Sequence, residues 1–387
     1  MARLEEDRAA RQRAFSERAR RLHLIEGWWW EASGFQPRPD QPTEPGGLAV
    51  PHRWRYSELR HLAHESGELV ELGQGASQAE KRGLVLSNPG LDGRYAVTDT
   101  FFADLQTLKA GEAAPSHRHT TTAVRLVCEG SGGWTTVEGQ RLRLDAGDIV
   151  INPPWAWHDH GNDGPDDFIF WDVLDVPMLA ALGTAMWDFD YAAITGDPQK
   201  PIQYLTRPDN YSLDLYRTGG IVPKFIASSR GDHSPLLRYE WKTVRAALDR
   251  LRQERGSPYD AVIVEFTNPE SGASPAPTIA VCAQLLRPGE RTLQHRHNTS
   301  TVYVAVSGRG FTIVNGARLE WTANDLFVVP TWAWHEHANL DASEDAVLYA
   351  ISDAPIIEKI GLYREQRKLP DGSVEDTGWS ANRYVSR

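Results

Sequence analysis

One pattern of residues occurs twice in this chain, 177 or 178 residues apart, and that repeat limits the fold more than any other feature. Gly111 precedes His117-Arg118-His119 by five intervening residues, and Gly289 precedes His295-Arg296-His297 in the same way. Further on, Gly147-Asp148 runs through Pro153-Pro154-Trp155-Ala156-Trp157 to His158-Asp159-His160. The counterpart runs from Asn324-Asp325 through Pro330-Thr331-Trp332-Ala333-Trp334 to His335-Glu336-His337. A constant offset over two separate motifs marks duplication of one domain. Short runs rich in β-formers and broken by Gly, Asp and Pro surround both copies, among them residues 123–127, 133–137 and 149–151. Such spacing predicts an all-β sandwich or barrel in each half.

Eight of the 13 histidines fall in these four His-x-His groups. Side chains two apart on a strand share a face, so His117 and His119 can both enter a barrel interior and offer imidazole to one ion. His158 supplies a third ligand from a later strand, and His160, of the same parity, points inward as an acid or base near the ion. A single His-x-His is more often a pair of surface or core histidines. The repeat, with its flanking Gly and Pro, argues for an ancestral metal site. His295, His297 and His335 are then the candidate second metal site.

These are the two motifs of the cupin superfamily, with Asn162 and Asn339 each four residues beyond the second-motif histidine. Where cupins commonly carry a Glu ligand, this chain has Ala123 or Val124 in the first half and Thr301 or Val302 in the second. Each site therefore reads as three histidines. Three neutral imidazoles leave a divalent ion its full charge, which a ligand bearing carboxylate and phenolate oxygens would neutralise.

Residues 80–177 resemble the catalytic half of the gentisate, salicylate and 1-hydroxy-2-naphthoate 1,2-dioxygenases. The resemblance rests on Glu80-Lys81-Arg82, Asn88-Pro89-Gly90-Leu91, Pro115-Ser116-His117-Arg118-His119-Thr120, Ala123-Val124-Arg125, Trp155-Ala156-Trp157-His158-Asp159-His160-Gly161-Asn162 and Asp172-Val173-Leu174-Asp175. It implies a mainly β bicupin: two double-stranded β-helix (jelly-roll) barrels with an N-terminal helical arm and a helical linker. It also implies an Fe(II) enzyme that takes a small aromatic acid and O₂ and opens the ring between the carboxylate-bearing and hydroxyl-bearing carbons. His117, His119 and His158 match the metal ligands, Arg125 and Arg82 the substrate-binding arginines, and His160 and Asp172 polar residues near the substrate hydroxyl. Asp104 stands where a small residue is usual, and Val173 where Gly is frequent. These departures speak against gentisate without naming a replacement; the length and general character of the chain incline the expectation toward 1-hydroxy-2-naphthoate, with gentisate or salicylate as the alternative.

The residues themselves support part of this. Arg125 sits in an apolar run, where an unpaired guanidinium is costly to bury. Asp172 alternates with Phe168 and Phe170 on one face, either as a structural partner of an arginine or beside the metal. Arg82, next to Lys81, also fits an exposed basic pair. In the second half Tyr303 stands opposite Arg125 and Ala350 opposite Asp172, so catalysis is expected in the first half alone.

Around the two barrels, the expected divisions are residues 1–79 as helical arm and loop, 80–180 as the catalytic barrel, 181–258 as a linker with a helix, 259–355 as the second barrel and 356–387 as a tail. In the linker, Trp241, Val244, Leu248 and Leu251 share a helical face. Arg- and Glu-rich residues 2–24 and the cluster Trp28, Trp29 and Trp30 read as an inter-subunit arm of a homo-oligomer. The net charge of −11 argues against nucleic acid. No apolar run is long enough to span a membrane. Two cysteines, Cys128 and Cys282, and an N-terminus without a signal pattern point to a reducing cytoplasm. Three other classes compete: a non-catalytic small-molecule-binding bicupin, a manganese decarboxylase or isomerase (which usually keeps the Glu ligand), and a zinc hydrolase.

Overall fold

The computed structural model describes residues 2–24, 42–73, 77–196, 202–225 and 233–378. Residues 1–45 and 46–387 are separate compact units. Within the first, Ala2–Arg21 is a single helix, as its Ala-, Arg- and Glu-rich composition favours. The Trp28, Trp29 and Trp30 cluster lies outside the described residues.

The second unit is mainly β. Its strands are β1 (His52–Trp54), β2 (Gly83–Val85), β3 (Phe102–Leu108), β4 (Ala113–His119), β5 (Ala123–Glu129), β6 (Gly133–Val137), β7 (Gln140–Arg143), β8 (Ile149–Asn152), β9 (His158–Asn162), β10 (Phe168–Leu174), β11 (Trp187–Asp188) and β12 (Arg238–Tyr239). They continue as β13 (Val262–Glu265), β14 (Ala280–Leu286), β15 (His295–His297), β16 (Thr301–Ser307), β17 (Arg309–Val314), β18 (Ala317–Thr322), β19 (Leu326–Val329), β20 (His335–Asn339), β21 (Ala346–Ser352), β22 (Glu365–Lys368) and β23 (Val374–Asp376). The first half pairs a sheet β12-β8-β5-β10-β3-β2 with a sheet β11-β4-β9-β6-β7; the second pairs β1-β19-β16-β21-β14-β13 with β18-β17-β20-β15-β22-β23. Every strand pairing is antiparallel. The result is two jelly rolls, the bicupin expected from the repeat.

Segments outside the two repeats also join these sheets. β1 borders β19 of the second half although it precedes the first half in sequence, β11 and β12 extend the first-half sheets, and β22 and β23 extend a second-half sheet. The helix Trp241–Leu251 buries Val244 and Leu248, two of the four residues on its expected face.

The central strands of the two sheets that meet between the halves, β5 and β10 in one and β14, β16 and β21 in the other, are buried on both faces over most of their length, which explains their nearly continuous apolar character. One face of each builds a single core shared by the halves. Val124 and Leu126 of β5 and Ile169, Trp171 and Val173 of β10 join Val302 and Val304 of β16 and Val347, Tyr349 and Ile351 of β21. Each such aliphatic side chain contributes roughly 1.5–3 kcal/mol by leaving water. The alternate residues face the barrel interiors. Polar bonds also cross between halves: Trp171 Nε1 donates to the Asn324 carbonyl at 3.0 Å and the Tyr349 hydroxyl to the Gly147 carbonyl at 3.0 Å.

Two buried carboxyls, Asp175 and Asp353, hold equivalent positions in the repeat. Asp175 accepts from Thr122 N at 2.9 Å in its own half and from Thr278 Oγ1 at 2.6 Å in the other. Asp353 accepts from Ser300 N at 2.9 Å in its own half and from Thr100 Oγ1 at 2.7 Å in the other. Each therefore caps the turn after its His-x-His strand and reaches across to the other half.

Candidate active site

Antiparallel pairing of β4 with β9 sets His117 opposite His158, and pairing of β9 with β6 sets His160 opposite Thr135. All four first-half histidines are buried. The ring centroids of His117 and His158 are 4.4 Å apart, those of His119 and His158 4.7 Å, and those of His117 and His119 5.8 Å. The motif residues between them have a separate task. Arg118 points away from its neighbours and lies over the rings of Trp155 and Trp157, at 4.4 and 4.6 Å, and Arg296 repeats this against Trp332 and Trp334 at 4.3 and 4.8 Å. Such contacts are worth about 0.5–2 kcal/mol each and tie the His-x-His strand to the loop before the third histidine. Asn162 and Asn339 close turns with their amides, Asn162 donating to the carbonyl of Asp166 at 2.7 Å and Asn339 to that of Glu344 at 2.8 Å.

Each of the three expected ligands has Nδ1 against a backbone carbonyl: His117 with Pro115 at 3.1 Å, His119 with Thr121 at 2.8 Å and His158 with Ala156 at 2.9 Å. A proton held at Nδ1 leaves the lone pair at Nε2, the form a metal requires. Burial, joined by the charge of His119, pushes His117 down to about 3, and burial pushes His119 down to about 4. His158 and His160 lie well below the usual range for the same foremost reason. All four are neutral at pH 7.

Ligand atoms of His117, His158 and His160 lie within 4.8 Å of one another, a set that does not include His119. Hydrogen bonding separates the roles of His119 and His160. Both ring nitrogens of His160 face the Arg125 guanidinium, Nδ1 against Nη1 and Nε2 at 3.1 Å from Nη2, and a guanidinium can only donate. His160 is therefore held by Arg125, whereas each of the three expected ligands has its Nδ1 against a backbone carbonyl.

Arg125 is fully occupied. Its Nε donates to Asp172 Oδ1 at 2.9 Å, Nη2 to Asp172 Oδ2 at 2.6 Å and Nη1 to Thr135 Oγ1 at 2.9 Å, and its guanidinium covers the Phe170 ring at 4.0 Å. Asp172 also accepts from Gln106 Nε2 at 2.8 Å. Arg82 does not line the cavity; it is buried against Glu112.

A narrow cavity of about 70 Å³ touches all four histidines together with Glu80, Lys81, Gln106, Asn152 and Asp172, and is walled by Ala123, Leu174, Trp187 and Phe189. Its cation is Lys81, whose Nζ is 3.1 Å from Asp104 Oδ2. Burial alone would lower the Lys81 ammonium, but Asp104, Asp172 and Glu80 outweigh it and raise its pKa, so the charge persists. Asn152 is buried, and neither its amide nitrogen nor its carbonyl oxygen has a hydrogen-bond partner among the described residues. The sequence reading missed Lys81, Gln106 and Asn152 as site residues. A signal for Gln106 was present: Phe102, Asp104, Gln106 and Leu108 share the interior parity of β3, and two buried polar residues there call for partners.

Cross-strand register shows how the halves differ. In the first, Asp104, Asp172, Arg125 and Val150 form one row across four strands. In the second the row is Cys282, Ala350, Tyr303 and Phe327. Charge has been replaced by apolar packing, and the Tyr303 and Phe327 rings stack at 5.1 Å.

Comparison with known proteins agrees with this geometry. Residues 104–176 and 283–352 both match the cupin domain family. The chain is 37% identical to the 5-aminosalicylate 1,2-dioxygenase of Comamonas sp, over 83% of each chain. It is 36% identical to gentisate 1,2-dioxygenase 1 of Aquipseudomonas alcaligenes, over 84% of this chain and 89% of that one. The 1-hydroxy-2-naphthoate 1,2-dioxygenase of Nocardioides sp. (strain KP7) is 31% identical over 92% of this chain and 88% of its own. The crystal structure of salicylate 1,2-dioxygenase from Pseudaminobacter salicylatoxidans superposes with a TM-score of 0.80 at 30% identity, covering 92% of this chain and 97% of that one. A duplicated jelly roll with an interior histidine cluster defines a bicupin with a metal-binding site. The chain belongs to the bicupin aromatic ring-cleaving dioxygenases of the gentisate and salicylate 1,2-dioxygenase type, a family of oxidoreductases. Among the described residues no helix is long and apolar enough to cross a membrane.

Proposed function

We propose that the first cupin is the catalytic centre, that it holds Fe(II) through His117, His119 and His158, and that it cleaves a monocyclic 2-hydroxybenzoate of the gentisate or 5-aminosalicylate kind. The observation that carries this reading is the one-sided row of charge: Asp104, Asp172 and Arg125 cross the interior beside the histidines in the first half only. The donor set fits the metal, since three neutral imidazoles with Nδ1 occupied suit a borderline divalent ion and leave further positions open. Bound there, Fe(II) would supply the redox chemistry that lets both atoms of O₂ enter the product.

The chain's own residues bind and orient. Lys81 offers the charge for the substrate carboxylate, the task the resemblance gives to arginines. Asn152, otherwise without a partner, adds an amide to the same polar end. Arg125 acts as a positioning residue: it holds Asp172 and fixes the His160 ring beside the metal ligands. Ala123, Leu174, Trp187 and Phe189 flank the ring and limit water. The narrow cavity and the names of the two relatives above 35% identity favour a single ring. Dependence on a bound ion and an oxygen co-substrate separates this reading from a non-catalytic bicupin. The same reading has the enzyme working in the cytoplasm as a homo-oligomer.

One observation favours the bicyclic acid to which the sequence inclines. The cavity shares Glu80, Trp187 and Phe189 with a wider outer opening of about 610 Å³. A second ring seated between those aromatic side chains would extend into it. Oxygen uptake by anaerobically Fe(II)-loaded protein, measured in parallel with gentisate, 5-aminosalicylate, salicylate and 1-hydroxy-2-naphthoate, decides. A higher kcat/KM for a single-ring acid is expected. A preference for the naphthoate would overturn the substrate assignment, and no uptake by iron-loaded protein with any of the four would overturn the catalytic one.

A further inference from the structure

The second cupin has lost its charged row yet keeps a complete imidazole cluster. Ligand atoms of His295, His297 and His335 lie within 4.8 Å of one another. This is the tight set that the first half forms with His160 in place of His119. His295 and His335 are buried, and His297 is half-buried.

Each ring is locked from behind. His335 Nδ1 lies 3.0 Å from the Ala333 carbonyl and His297 Nδ1 3.2 Å from that of Thr299. His295 Nδ1 lies 3.4 Å from Glu365 Oε1, and Arg367 grips that carboxylate with Nε at 2.7 Å and Nη2 at 2.9 Å. An oxygen acceptor at each Nδ1 places the proton there and leaves Nε2 as a lone pair. Nε2 of His295 and Nε2 of His335 are buried and have no hydrogen-bond partner among the described residues. Two orphaned lone pairs turned into one space cost about 1–3 kcal/mol each unless something accepts them. A cation is the partner that satisfies both at once. A carboxylate is also near: Asp260 Oδ1 lies 3.7 Å from His295 Nε2, outside the 4.8 Å set formed by the three histidines, so a small shift of its loop would bring it to the ion.

We propose that the second cupin binds its own divalent first-row metal ion, held by Nε2 of His295, His297 and His335 with Asp260 as the fourth donor, and that this ion is structural. A carboxylate stands beside the first cluster too, with Glu80 Oε1 3.7 Å from His117 Nε2, so what sets the second site apart is its interior. The interior beside it is filled by the stacked rings of Tyr303 and Phe327, with Trp321 stacked on Phe327 in turn. The ion's work is to join β15, β20 and the loop carrying Asp260. The Glu365 partner of His295 extends that tie to β22.

The test uses full-length protein stripped with a chelator and titrated with Zn²⁺ by equilibrium dialysis, with metal counted by mass spectrometry. Wild type is expected to bind about two equivalents per chain, and His119→Ala and His297→Asn about one each. Asp260→Asn should weaken the second equivalent by about tenfold or more while leaving the first in place. Because a buried-site variant can misfold, a spectroscopic arm runs in the His119→Ala background. Co²⁺ loaded there should give the intense visible bands of a tetrahedral nitrogen-oxygen site, and Asp260→Asn should shift them. One equivalent in both wild type and His297→Asn, or six-coordinate Co²⁺ bands indifferent to Asp260, would overturn the proposal.

Discussion

Replacing Arg125 with Met removes one member of the pair at the centre of the first barrel, and the structure says what should follow. Arg125 and Asp172 share two hydrogen bonds, at 2.9 and 2.6 Å, inside a barrel where both side chains are almost completely shielded from water. Breaking such a pair by deleting one partner costs roughly 3–5 kcal/mol, because the surviving charge stays buried. Gln106 still donates to Asp172 at 2.8 Å, which favours the lower part of that range. The double variant Arg125→Met/Asp172→Leu leaves no stranded charge and should recover most of the loss, approaching the apolar row that Tyr303 and Ala350 make in the second half. The expected coupling energy is therefore about 2–4 kcal/mol, far outside the roughly 0.5 kcal/mol within which independent sites add. Urea unfolding followed by tryptophan fluorescence measures it for wild type, both single variants and the double. Additive effects, with Arg125→Met altering KM by two orders of magnitude at unchanged stability, would show that the guanidinium serves the substrate directly, and the positioning role would be wrong.

Other outcomes follow from the same contacts. Lys81→Met should lower kcat/KM by roughly 30- to 1000-fold, the 2–4 kcal/mol of a charge-assisted bond to a carboxylate, with Lys81→Arg restoring part of it; steady-state oxygen uptake reads both. Trp171→Ala should destabilise the fold by about 3–5 kcal/mol in urea unfolding, since it empties a fully buried site in the shared core and removes the bond to Asn324. Burial raises the carboxyls of Asp175 and Asp353 to about 6 each, against an ordinary value of 3.8, in spite of the bonds they accept. A raised folded pKa means the native state binds the extra proton. The associated stability is present below about pH 4 and is lost as pH rises to about 6, on the order of 3 kcal/mol per group. Asp175→Asn and Asp353→Asn should each flatten that slope, measured as the difference from wild type in unfolding midpoint between pH 4 and 7. Identical slopes would contradict the assignment.

Much of this was legible in the chain. The 178-residue offset announced two copies of one β domain, and the parity of the His-x-His groups announced converging imidazoles. The opposition of Arg125 to Tyr303 and of Asp172 to Ala350, read from the repeat alone, reappears as equivalent cross-strand positions. What sequence periodicity does not carry is which polar residue finds which partner. Lys81 and Arg82 are adjacent in the segment just before β2, yet one lines the cavity and the other meets Glu112. Asn152 lay within the second motif but only the pairing of β8 with β5 and β12 brings it to the cavity wall. The carboxylate near each cluster, Glu80 beside His117 and Asp260 beside His295, comes from a segment outside the cupin motifs, so a search at the usual Glu position finds nothing.

The strands with two buried faces bear on how one duplicated domain came to hold two different interiors. On β5 and β16 alike, one set of alternating residues is committed to the seam between the halves, and the other set faces inward. The seam set answers to its opposite number, since a change there must be matched across the interface. The inward set answers only to its own barrel. A duplicated chain built this way can lose Arg and Asp from one interior without loosening the joint that holds the copies together. The half without the charged row is still needed: its seam face covers that of the other half, and a chain severed between the repeats would expose the seam of both.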